Sequence, residues 1–379
     1  MEILIAGAGL AGCATALHLR RTGHDVTLVD AASEPQRNGY QVQMAPAAQN
    51  LLADLGLGDV VHRVSEPSPD ITLHRRTRTG SRKLTTVRPA GYRIARRRDL
   101  VGAVAERTAA EVPVQRSREL VGIEQRADHV VAHFADGASG RYDLLLGADG
   151  LRSTVRRLSL GPDRSLVYEN GWTNVWIDLP IEALGPDTAE MHIGKGLSAQ
   201  FFPYPGGEEA LVVAFLHTGP RPSKVGDLVA RVRDALGGGE RGRRVADALD
   251  GADLTTVRLT RFAQVRTPTW HAGRVVLVGD AAHCLDPLSG SGVHAGLLGA
   301  LRLSQELNRT QDRSRAGLDA AARRYTARVK PFVELSQHST AGLIEMVSAP
   351  GASHRLRAAS HLLHAARGAL VPSRRRRQE

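Results

Sequence analysis

Three glycines near the start of this 379-residue chain, Gly7, Gly9 and Gly12, stand in G-x-G-x-x-G spacing, and Asp30 follows at the end of the next apolar run. That set suits a dinucleotide. Gly7 permits a tight turn, Gly9 lets the backbone approach a pyrophosphate, and Gly12 allows a helix to pack closely on a strand. Leu10 and Ala11 lie between them, where unpaired N–H groups at a helix start face phosphate oxygens. Asp30 can accept hydrogen bonds from a ribose diol. Two later segments carry an acid beside a glycine: Asp149–Gly150 in YDLLLGADGLRSTVRR, and Gly279–Asp280 in GRVVLVGDAAHCLDPLSGSGVHAGLLGA. The second continues through Pro287, Gly290, Gly292 and Val293.

The elements that must position these residues are short. Residues 3–6 read as a buried strand, 11–21 as an amphipathic helix and 25–29 as a second strand, completing a βαβ unit. Residues 144–146 and 275–278 read as two more strands, each ending in a glycine and an acid. Ligands of open α/β sheets bind at that carboxyl end, so three separated segments point to one crevice. Between them, 170–179, 197–202 and 211–217 read as strands rich in Val, Phe and Trp. Arg241 to Arg244, after a glycine run, reads as an exposed loop. The chain after Arg302 is expected to be helical, with 305–308 closing one helix, 317–347 and 354–370 supplying more, and Pro331 as a kink or a start.

Composition narrows the class. The length favours two domains, and 42% hydrophobic residues supply a sizeable core. Aromatics at 4% argue against a base-stacking nucleic-acid surface. The net charge of +11 reflects a bias towards arginine, since only Lys83, Lys195, Lys224 and Lys330 are lysines. The Arg374 to Arg377 run reads as a solvated tail, so no nucleic-acid partner is expected. Cys13 and Cys284 show no CxxC or Cys/His ligand spacing, which predicts a reducing compartment and no metal. No run approaches 18 apolar residues and no signal peptide is visible, so the expectation is a cytoplasmic protein without a membrane span.

Taken together, the glycine motif with Asp30, the Asp149–Gly150 and Gly279–Asp280 segments, Pro287, Gly290, Gly292 and the R-x-x-L element from Arg97 to Leu100 resemble one family. It is the group A FAD-dependent aromatic hydroxylases, the flavoprotein monooxygenases of the para-hydroxybenzoate hydroxylase fold. The resemblance implies an α/β fold: a Rossmann-like FAD-binding domain with an inserted β-sheet substrate domain and C-terminal helices. The FAD-binding domain would take residues 1–70, 92–165 and 266–330, and the substrate domain 71–91 and 166–265. Residues 331–371 would form C-terminal helices, and 372–379 a disordered basic tail.

By the same resemblance Asp30 would hold the adenosine ribose, and Arg97 the pyrophosphate, with Arg98 the alternative if the register slips by one. Asp280 would contact the ribityl chain, and the turn from Gly290 to Val293 would approach the flavin ring. Arg37 and Gln43 flank the loop where relatives place cofactor contacts. Asp149 would be shared between a structural turn and the nicotinamide approach. Trp172, Trp176, His192, Gln200, Phe202, Tyr204 and His217 are candidates for the sheet face that roofs the flavin. The family pattern G-x-N-x-A-x-x-D-A is broken here by His294 and Gly299. No catalytic side chain is assigned, and oligomeric state is left open. The implied activity is hydroxylation of an aromatic or polyketide-like molecule with dioxygen and NADPH or NADH, through a flavin hydroperoxide. The alternatives are oxidation, reduction or rearrangement on the same fold without oxygen insertion, and a non-catalytic flavoprotein.

Overall fold

Apolar runs bounded by glycine build the first sheet. In the computed structural model, which describes residues 1–35, 41–77, 80–180, 189–194, 196–203, 209–218, 224–236 and 239–348, Glu2–Ala6 is a central strand. It pairs in parallel with Asp25–Val29 on one side and Leu144–Gly147 on the other. Val275–Leu277 adds in parallel to Leu144–Gly147. Val114–Gln115 and His271–Ala272 complete the edges of a six-stranded sheet. Strands with helices on both faces are apolar throughout, and Ile3, Leu4, Ile5, Leu144, Leu145 and Leu146 are all fully buried. This strand order places the turns after residues 6, 147 and 277 side by side. The helices Leu10–Arg21 and Gly292–Arg309 pack directly on each other, and Arg315–Ser348 packs against the latter.

The second sheet has seven strands, in the order Arg258–Val265, Val167–Pro180, Glu209–His217, Leu197–Pro203, Ala189–Gly194, Ile71–Thr77, Gly80–Val87. Side-chain alternation gives it two apolar faces. One carries Val175, Ile177, Phe201 and Val212 and packs against the helices Val225–Leu236 and Gly239–Asp250. The other carries Trp172, Trp176, Val213, Phe215 and Phe262.

The structure corrects one expectation here. Arg241 to Arg244 belong to the Gly239–Asp250 helix and not to a loop. Val245 and Leu249 stand one turn apart and both are buried against the sheet, and that packing outweighs the polar composition before them. Pro331 lies inside the Arg315–Ser348 helix, which runs through it. Among the described residues no helix is long and apolar enough to cross a membrane. Arg37, Tyr204 and residues 349–379 lie outside the described residues.

Candidate active site

The first turn is dictated by space. Gly7 has φ +106°, and a Cβ there would sit 2.4 Å from the carbonyl oxygen of Ala148. A Cβ on Gly12 would lie 1.9 Å from the Gly7 oxygen, so Gly12 serves the packing of helix on turn and is absent from the cleft wall. Gly9 differs: nothing lies within 4 Å of where its Cβ would be, and it faces open space beside Leu10 and Ala11. The Asp30 carboxylate accepts hydrogen bonds from the N–H of Ala8 (2.7 Å) and of Ala32 (2.8 Å). Those bonds hold it at the strand end, with lone pairs left for a diol.

At the second turn Asp149 accepts from the Ser153 hydroxyl and from the Val155 N–H, so its carboxylate starts the Thr154–Ser159 helix. It also borders the cleft. Arg156 of this helix is fully buried and donates to the carbonyl of Ala281 (2.9 Å) and to Asp163 (2.7 Å). It thereby ties the second turn to the third. No sequence signal distinguished Arg156 from its neighbours.

The third turn again needs glycine. Gly279 has φ +65°, and a Cβ there would come within 2.5 Å of the Ala11 Cβ. Asp280 follows at the start of the Asp280–His283 helix. Its side chain is solvent-exposed where it opens onto the cleft, and protein surrounds the rest of it. Desolvation therefore raises its carboxyl pKa, and the positive charge of Arg97 opposes that rise. Arg97 faces the cleft, whereas Arg98 is exposed and pairs with Asp99 at 3.5 Å. Gln43 borders the cleft as well and donates to the Ser68 hydroxyl at 3.2 Å. Pro287, Gly290, Gly292 and Val293 close this side at the N-terminus of the Gly292–Arg309 helix. Its first N–H groups have no intrahelical acceptor. The cleft so enclosed has a volume of about 570 Å³.

From the seven-stranded sheet, Trp176, Thr260, Arg261 and Ala263 reach this cleft. Arg261 is held by Glu169 at 3.0 Å. The other candidates on that sheet sit elsewhere. Trp172 is buried beside Phe215 and Phe262 and meets His217 edge-on, with ring centroids 5.7 Å apart. Phe202 is buried, Gln200 is half-buried and His217 is exposed. All four share the face of Trp176 by strand register but lie outside the cleft wall. His192 pairs with Ala199 and belongs to the opposite face.

Residues not anticipated include Arg116, Arg118, Arg152 and Asp286, which also border the cleft. In so arginine-rich a chain an arginine carries no contrast. Asp286 is buried and accepts from the Gln264 amide at 2.6 Å.

The two departures from the family pattern are taken up by local packing. The His294 ring lies 4.8 Å from that of Phe332. A Cβ on Gly299 would meet His283 Nε2 at 3.0 Å, so the missing side chain leaves room for that imidazole. Neither residue borders the cleft. His283 is buried against Trp270, neither ring nitrogen has a hydrogen-bond partner among the described residues, and desolvation lowers its pKa to about 4. Burial also pushes the Cys284 thiol up, with help from Asp280 and Asp286, so it stays a protonated, unreactive group.

The family described as FAD binding domain matches residues 1–336. The chain is 30% identical to a salicylate hydroxylase of Pseudomonas putida over 343 residues, 82% of this chain and 78% of that one. It is 28% identical to a kynurenine 3-monooxygenase of Salinispora arenicola, over 91% of this chain and 80% of that one. The fold matches the solved structure of tetracycline destructase Tet(55) with a TM-score of 0.78 at 23% identity, covering 97% and 96% of the two chains. It matches Klebsiella pneumoniae HpxO, solved with FAD and uric acid, with a TM-score of 0.77 at 22% identity over 97% and 93%. With the family matched along most of its length, this chain belongs to the FAD binding domain family and is an FAD-dependent monooxygenase, an oxidoreductase of the para-hydroxybenzoate hydroxylase fold.

Proposed function

We propose that the protein hydroxylates an electron-rich aromatic or polyketide-like small molecule, using dioxygen and NADPH or NADH. The observation that carries this reading is one cleft with two unlike walls: bare glycine backbone and held acids on one side, and Trp176, Thr260 and Arg261 on the other. The glycine wall fits FAD. Gly9, Gly290 and Gly292 have open space where a Cβ would stand, so backbone N–H groups can approach a pyrophosphate and a flavin edge. Asp30 would take the adenosine ribose, Arg97 the pyrophosphate and Asp280 the ribityl chain. When bound, FAD supplies the hydride acceptance and dioxygen activation that side chains cannot.

The protein's own part is to bind, orient and exclude water. The Gly292–Arg309 helix presents its positive end to negative charge on a reduced cofactor. Trp176 offers a flat apolar surface to an aromatic ring. No second strand–glycine–helix unit occurs in the sequence, so the nicotinamide docks transiently in the same cleft. The aromatic substrate class is supported by the names of the Pseudomonas putida and Salinispora arenicola relatives. Both cysteines are buried and unpaired, which fits a reducing cytoplasm.

The test is NADPH and NADH consumption by the FAD-loaded protein under labelled dioxygen, with a panel of phenols and aminophenyl acids. Substrate-accelerated consumption with one labelled oxygen in the product supports the reading. Turnover with an unlabelled product moves the protein to oxidation or rearrangement on the same fold.

A further inference from the structure

On the face of the seven-stranded sheet opposite Trp176, three potential metal ligands meet on two adjacent strands. His74 of Ile71–Thr77 is the register partner of His192 in the parallel strand Ala189–Gly194. Glu190 precedes His192 by two residues and so points to the same face. Glu190 Oε2 lies 3.0 Å from His192 Nε2 and 3.6 Å from His74 Nε2. All three ligand atoms lie within 4.8 Å of one another. A tetrahedral zinc ion with ligands at about 2.0–2.1 Å has ligand-to-ligand edges of roughly 3.4 Å, between those two separations. Two histidines and one carboxylate form a donor set that binds zinc with a fourth position open. That position has an outlet, because the His74 and Glu190 side chains are 18% and 15% exposed while His192 is 3% exposed.

We propose that His74, Glu190 and His192 bind one Zn²⁺ ion, clipping the hairpin of Ile71–Thr77 and Gly80–Val87 to the rest of the sheet. The hairpin reaches the sheet from a remote part of the chain, and ligand spacing across more than a hundred residues is invisible in the sequence. Two features set the affinity. The imidazoles are stacked, with centroids 4.8 Å apart and planes at 9°, so one ring must turn to aim its lone pair at the ion. His74, the more exposed, is the one free to turn. Among the described residues neither Nδ1 has a hydrogen-bond partner, and an unsupported imidazole typically costs 10- to 100-fold in metal affinity. The expected affinity is therefore weaker than that of a site whose two imidazoles are both supported.

The test uses the FAD-loaded full chain, stripped with a chelator, dialysed and titrated with zinc chloride by calorimetry. The expected result is one saturable equivalent bound. Glu190→Gln and His74→Gln should each weaken that equivalent at least tenfold. The zinc-dependent rise in Tm, on the order of 3–5 °C at a hundredfold excess, should vanish with it. FAD absorbance and metal-free Tm equal to the wild type establish that each variant is folded. His74→Gln, at the open rim, serves if Glu190→Gln does not fold. Wild type and folded variants binding zinc alike, or no saturable equivalent in the wild type, would overturn the site. Neither outcome bears on FAD binding or turnover, which are read separately.

Discussion

The two walls of the cleft are built on different principles. On the parallel-sheet wall the ligand-facing groups are backbone, or acids pinned by backbone: Asp30 by Ala8 and Ala32, Asp149 by Val155. The turns that present them leave no room for a Cβ at Gly7 or Gly279. On the other wall, Trp176 and Thr260 share one face of a sheet whose opposite face is anchored by two helices, and Arg261 reaches the cleft from the edge strand. There the backbone is held from behind, so a side chain can change without moving it. The first wall should be intolerant of volume and the second tolerant. Such a division lets one cofactor site serve many substrates.

The sharpest way to break this contrast is at the glycines. Gly7→Ala forces a Cβ to 2.4 Å from a carbonyl oxygen at a positive φ. It should abolish soluble, FAD-loaded protein. Gly9→Ala meets no protein atom within 4 Å. It should fold with an unchanged apoprotein Tm and lose FAD affinity tenfold or more, as read by flavin fluorescence titration. Equal behaviour of the two variants would show that the wall responds to generic glycine loss.

Arg156→Met comes next. It leaves the Ala281 carbonyl without its donor and takes a buried guanidinium from Asp163, which is 31% exposed and keeps Arg157, so the expected cost is about 2–3 kcal/mol. Urea unfolding of the apoprotein reads this directly. A loss below 1 kcal/mol would mean that the second and third turns are not coupled through this side chain.

His283 tests the same wall by pH. Its folded pKa, about 4, lies below the 6.5 of an ordinary imidazole. The folded state therefore binds fewer protons than the unfolded state. Stability is intact above pH 6.5 and is lost as pH falls towards 4, by up to about 3 kcal/mol at 1.36 kcal/mol per unit. Thermal melts between pH 7 and 4.5 should show this slope in the wild type and a shallower one in His283→Gln.

The smallest effects on stability belong to the second wall. Thr260→Val, at a half-buried position, should change stability by about 0.5–1 kcal/mol, and Trp176→Phe, at a buried one, should cost about 1–2 kcal/mol, with FAD content unaltered in both. The KM for an accepted aromatic substrate should shift several-fold. Loss of FAD from either variant would erase the distinction between the walls.

How much of this was legible depended on how local each cause was. The βαβ unit, Gly7 to Gly12, Asp30 and the turns at Asp149 and Gly279 were readable because each demand lies within a few contiguous residues: a buried strand, a turn without a Cβ, an acid at the strand's end. Three strands of the second sheet, at 170–179, 197–202 and 211–217, were readable from their Val, Phe and Trp content; the other four were not anticipated. Which residues of the sheet reach the cleft was not readable. Trp172, Gln200, Phe202 and His217 share a face with Trp176, yet only Trp176 is at the cleft, and Thr260 and Arg261 were passed over. Alternation gives the side of a strand but not the distance along it to a neighbouring domain.

By itself, then, the sequence determined the cofactor class and the backbone of its cradle, because local steric and hydrogen-bond demands leave little choice of residue there. Tertiary structure alone decided the strand order that gathers three distant turns, the helical fate of Arg241 to Arg244, the buried link through Arg156 and the meeting of His74 with Glu190 and His192. Those depend on which surfaces pack together, and no single segment carries that information.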